Sequence, residues 1–91
     1  MSDTLTKKKE KQSTKLTDTF TLVLWNDDVN SFDDVIDALV DICQHDDLQA
    51  EQCATIAHYK GKCSVKTGEP FEVLLPLKRL FDTREITTSI E

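Results

Sequence analysis

Apolar positions recur along this chain with two periods, and each marks a different kind of element. Phe32, Val35, Ile36, Leu39, Val40 and Cys43 follow one another at helical spacing, so residues 32–43 read as an amphipathic helix with one buried face. Ser31 and Asp34 make a capping-box-like start, and Asp33 and Asp34 fill the first turn, where the helix dipole favours carboxylates. Upstream, Thr19 to Trp25 ends in Leu22-Val23-Leu24-Trp25, an apolar run with β-branched and aromatic residues that predicts a buried strand. A second helix over about Leu48 to His58 gathers Ala50, Cys53, Ala54, Ala57 and His58 on one face. That stripe is made of small side chains, so whatever packs on it comes close or leaves a hollow. Gly61 stops the helix.

Lys62 to Thr67 is short and mixed and reads as a second strand. Pro70 suits the first position of a third helix, over Phe71 to Phe81. Pro76 lies well inside that stretch, so a kink or a restart is expected there. A rival reading makes Phe71 to Leu75 a strand and starts a helix at Pro76; the kinked helix is preferred. Arg84 to Ile90 ends in Ile86-Thr87-Thr88-Ser89-Ile90 and has the composition of a last strand. The order β-α-α-β-α-β predicts an α+β domain, with a three-stranded, mainly antiparallel sheet packed against three helices. Residues 1–18 are polar and Lys/Ser/Thr-rich, which predicts a flexible tail ahead of a domain spanning 19–91.

With 91 residues and 10.4 kDa, the chain can build one modest core. Its net charge of −6 is unevenly spread. Residues 1–19 hold five lysines against three acids, a net +2, and residues 20–91 hold six bases against 14 acids, a net −8. No Lys or Arg occurs between Asn26 and Tyr59. Such a face repels phosphate backbones, which argues against nucleic acid and for a cationic or neutral ligand. Cys43, Cys53 and Cys63 have no C-x-x-C spacing and, with His45 and His58, match no zinc-ligand rhythm, so they read as core thiols. No leading apolar segment and no membrane-length apolar run is present, and a cytoplasmic, reducing setting is expected. Neither a metal nor an organic cofactor is called for.

Two polar landmarks carry the chemistry. Asn26-Asp27-Asp28 follows the first strand directly and precedes a helix start, which holds these residues at the rim of the core, able to grip a cation. His58-Tyr59-Lys60-Gly61-Lys62 ends the second helix. Taken alone, Asn26 and Asp28 also suit an Asx-turn, and His58 suits a helix-terminal histidine donating to backbone carbonyls. Adjacent carboxylates after a strand also suit Mg²⁺-dependent phosphoacceptance. That chemistry needs alternating βα units and a parallel sheet, and neither a Gly-rich phosphate loop nor a nucleophile–base pair is present.

In this order the two landmarks resemble the ClpS family, bacterial adaptors that hand proteins with destabilising N-terminal residues to a Clp unfoldase. The resemblance runs from about Phe20 to Glu91 and implies a non-enzymatic adaptor. It places the ligands of a substrate α-amine at Asn26, Asp27 and His58. An amide oxygen, a carboxylate and a neutral ring nitrogen are all acceptors suited to an ammonium. It places the pocket for the first side chain at Asn30, Phe32, Val35, Ala54, Ala57 and Ile86, and an unfoldase-facing surface at Tyr59 and Glu69. The implied partners are a ClpA- or ClpC-type AAA+ unfoldase and proteins beginning with Leu, Phe, Trp or Tyr. A docking module of the same fold that reads no N-terminus is the alternative. Phe32 stands where many members have Met or another flexible residue, and Ala54 and Ala57 where they carry larger ones. The segment after Gly61 looks shorter. Asp27, at a rim, is expected to be dispensable for folding.

Overall fold

The computed structural model describes residues 18–91. Its elements are β1 (Phe20–Trp25), α1 (Phe32–Cys43), α2 (Asp47–Lys60), β2 (Lys62–Glu69), α3 (Phe71–Thr83) and β3 (Thr88–Ile90), in the order expected from the sequence. Strand β1 is central, with β2 and β3 antiparallel on either side of it. The predicted tail lies outside the described residues, except for Asp18, which is exposed.

The core forms where the two apolar periods meet. Leu22 and Leu24 of β1 pack with Ala38, Leu39 and Ile42 of α1, Ala50 and Ala57 of α2, Val65 of β2, Leu74 and Phe81 of α3, and Ile86. Phe81, Leu22, Leu24, Leu39, Leu74 and Ile86 are its largest fully buried members. Burial of each such side chain contributes about 1.5–3 kcal/mol before chain entropy is set against it. Ala50, Ala54 and Ala57 are all buried, and their short side chains let α2 lie close to its neighbours.

The ends of the helices follow local chemistry. Ser31 Oγ accepts from the Asp34 N–H at 3.1 Å, the expected cap. Asp46 caps α2 in the same way, accepting from the Gln49 N–H at 2.7 Å, so this helix starts at Asp47 and not at Leu48. Gly61 closes α2 with φ 94°, a left-handed conformation that glycine adopts without a Cβ penalty. Helix α3 is continuous through Pro76, which removes the rival strand reading; Pro70 sits one position earlier than expected, at the N-cap. Strand β3 is shorter than the sequence suggests. The chain leaving α3 is spent on a turn in which Arg84 and Ile86 N–H groups donate to the Phe81 carbonyl and the Glu85 N–H to that of Asp82, each at 3.0 Å. The strand register with β1 therefore starts at Thr88, next to a bond from the Trp25 N–H to the Thr87 carbonyl at 3.0 Å.

Candidate functional site

Two chain segments meet at one end of the sheet. The Asn26 N–H donates to the Gly61 carbonyl at 2.9 Å, which ties the end of β1 to the end of α2. Between them opens a cleft of about 510 Å³. Asn26, Asp27, Asn30, Phe32 and Val35 border it from β1 and the start of α1, and Ala54, Ala57, His58 and Tyr59 from α2. Polar groups thus stand beside an apolar hollow of the size usual for a small-ligand site.

The turn after β1 is built by Asp27. Its Oδ1 accepts from the Val29 and Asn30 N–H groups, both at 2.9 Å, and its Oδ2 from Asn30 Nδ2 at 3.3 Å. Burial by itself raises the Asp27 carboxyl pKa, but the Asn30 and Val29 N–H groups and the Asn30 amide outweigh it and hold the pKa below its ordinary 3.8. The group is an anion at neutral pH. A carboxylate offers about four lone-pair sites, so three accepted bonds leave about one for a ligand. Asn26 and His58 are both exposed, which opens their side-chain acceptors to the cleft. The His58 ring meets Tyr59 edge to face, with centroids 4.9 Å apart. No Lys or Arg is among the residues that line the cleft, although Lys62 Nζ lies over the ring of Trp25, one of its walls, 5.1 Å from the centroid.

Of the residues expected here, the structure brings together Asn26, Asp27, His58, Asn30, Phe32, Val35, Ala54 and Ala57. It does not bring Ile86, which is 2% exposed, packs in the core and borders a separate groove with Asp34, Asp37 and Arg84. Tyr59 lines the cleft itself, and Glu69 lines a different groove beside His45. Tyr59 lies near the end of α2, just before β2 begins, and Glu69 is the last residue of β2, a strand about 23 Å long at the usual rise. Leu24, Trp25 and Thr55 line the cleft without having been singled out. Helical spacing carries the signal for Thr55, which lies four residues before Tyr59 as Ala54 lies four before His58.

The family model described as the ATP-dependent Clp protease adaptor protein ClpS matches residues 6–84. The chain belongs to the ClpS family. The match stops short of Ile86 and β3, where the cleft and the expected pocket also part company. Among solved structures, the fold is similar to that of Agrobacterium tumefaciens ClpS2 bound to L-phenylalaninamide, with a TM-score of 0.75 and 18% identity over 82% of this chain and 96% of that one. No match was found among curated proteins. ClpS is an adaptor family and not a protease family. The antiparallel sheet likewise lacks the parallel βα units that phosphoacceptance by Asp27 and Asp28 calls for. Among the described residues, no three His, Cys, Asp or Glu side chains gather to hold a metal, and no helix is long and apolar enough to cross a membrane.

Proposed function

We propose that this ClpS protein binds the free α-amino group and the bulky hydrophobic first side chain of N-degron proteins in the cleft between β1 and α2. It then presents them to a ClpA- or ClpC-type AAA+ unfoldase in the cytoplasm. The observation that carries this reading is the convergence of Asn26, Asp27 and His58 with Phe32, Val35, Ala54 and Ala57 around one hollow. An α-ammonium has three donors, and the three polar side chains offer it three acceptors, one of them anionic. L-Phenylalaninamide, the ligand of the Agrobacterium relative, is an α-amine joined to an aromatic side chain, which supports the same pairing of chemistries here. Three free thiols suit a reducing compartment. Tyr59 and Glu69 are the proposed unfoldase contacts, and their places just before β2 and at its far end call for an extended docking face.

Hydrogen bonds to a charged group contribute about 1.5–3 kcal/mol each, and one buried Leu or Phe side chain about as much again. After the cost of association, a micromolar affinity is expected, about −8 kcal/mol. Fluorescence anisotropy with short peptides that differ only in their first residue tests the reading. Phe-initiated peptides should bind and their acetylated forms should not. Equal affinity for the two forms would leave only a docking module that ignores N-termini.

A further inference from the structure

We propose that Asn30 is a positioning residue for amine recognition, its side-chain amide locking the Asp27 carboxylate to the main chain of Glu85. This rests on the reading of the cleft given above and assigns Asn30 a part other than lining the side-chain pocket.

The two Asn30 Nδ2 hydrogens reach two acceptors, Asp27 Oδ2 at 3.3 Å and the Glu85 carbonyl at 2.8 Å. The Asn30 N–H also donates to Asp27 Oδ1, so one residue holds both carboxylate oxygens. Two N–H groups hold Oδ1, but the last torsion of an aspartate is soft, so the carboxylate can still rock about these bonds. The Asn30 bond to Oδ2 adds a hold on the other oxygen, which restrains that rocking and with it the direction of the remaining lone pair. The Glu85 end is anchored in turn. Glu85 has φ 60°, a left-handed conformation that is unfavourable for a residue with a Cβ. It is held by its own N–H on Asp82 and by the Ile86 N–H on the carbonyl of Phe81, which is fully buried. A rigid path therefore runs from the core through Glu85 and Asn30 to Asp27. An acceptor fixed before the ligand arrives loses less freedom on binding.

Asn is suited to this role because one planar group carries both donors; Ala, Leu and Asp have none to give. Other titratable or charged groups about the clamp are Asp28, next in the chain, His58 across the cleft, and Asp34, Asp37, Asp41, Asp47 and Arg84 in the groove that Asn30 also borders.

Asn30→Leu keeps the bulk of a wall and removes the donors, whereas Asn30→Ala removes both. Anisotropy with Phe-, Trp- and Leu-initiated peptides should show an equal loss for all three, about tenfold, in both variants, as expected for one hydrogen bond to a charged group. In the free protein, the Asp27 carboxyl resonance followed by NMR should titrate at higher pH in both variants than in the wild type. A loss that depends on the first residue, a Leu variant that binds like wild type, or an unmoved Asp27 titration would each overturn the proposal. The titration needs no peptide. Should wild-type protein bind acetylated and free peptides alike, the functional reading falls while the clamp is still decided by the Asp27 resonance.

Discussion

Exchanging Ala54 for methionine should penalise the largest guests of the cleft and spare the smaller ones. Ala54 is 3% exposed and lies one turn before His58, with Ala57 beside it and equally buried. Both border the cleft of about 510 Å³, whose remaining apolar lining includes Phe32, itself 42% exposed. Methionine extends the side chain by three heavy atoms into space that a Trp guest needs. Forcing extra atoms into a packed site costs about 1–3 kcal/mol, which is about 5- to 150-fold in Kd. A Leu guest leaves that space open and gains contact with the new side chain, about 0.8 kcal/mol for each methylene removed from water. Its Kd should therefore not weaken, and contact worth one methylene would tighten it about fourfold. Anisotropy with Trp-, Phe- and Leu-initiated peptides, each with an acetylated control, measures the three ratios. Among wild-type guests, Phe, Trp, Tyr and Leu should bind, aromatics best, because a flat Phe32 ring stacks on aromatics and yields little to a β-branched Ile or Val beside the anchored amine. Equal weakening of Trp and Leu by Ala54→Met, or no weakening of Trp, would refute this account of the hollow.

Asp27→Ala should lower stability by about 1 kcal/mol in urea titrations, as loss of a capping carboxylate does, and raise the Kd for free-amine peptides by about 10- to 150-fold. Because the Asp27 pKa is lowered on folding, its stabilisation is complete above the ordinary 3.8 and is lost as pH falls below it, so the wild-type advantage over the variant should shrink there. Pro76→Ala restores a donor to the middle of α3 at an exposed site, and should raise stability by about 1–3 kcal/mol in urea; an unchanged midpoint would count against strain at this position. Burial pushes the Cys43 thiol up to about 11, and burial together with the adjoining Cys63 thiol pushes Cys53 up to about 12, so both should stay protonated and resist iodoacetamide at pH 8. Mass spectrometry should find these two modified only after denaturation.

What can be read from the sequence here is what short-range physics decides. The six apolar positions of α1 and its Ser31 cap are visible because period and cap both lie within one local window. The same is true of the β1 run and of Gly61 at the end of α2. Pro76 is harder, since local preference says break while Leu74 and Phe81 on either side are drawn into one core, and burial wins. Ile86 shows the limit most clearly. Its apolar side chain and its place near the last strand suit a pocket wall, but the turn after α3 directs it into the core, and nothing nearby in the sequence discloses that turn's left-handed Glu85. Asp27 errs in the other direction. Its place at a rim suggests a side chain waiting only for ligand, whereas three of its bonds build the turn that presents it.

The backbone bond from Asn26 to Gly61 has a consequence for how specificity can drift. It ties the Asp27 and His58 sides of the proposed amine grip together through main chain, at a glycine that no side-chain exchange elsewhere replaces. Residues 32, 35, 54 and 57 can then vary in volume without removing that tie. On the proposed reading, a lineage or an engineer is free to retune which first residue is accepted while the demand for an unmodified N-terminus stays fixed, as a lock can be rekeyed without moving the bolt.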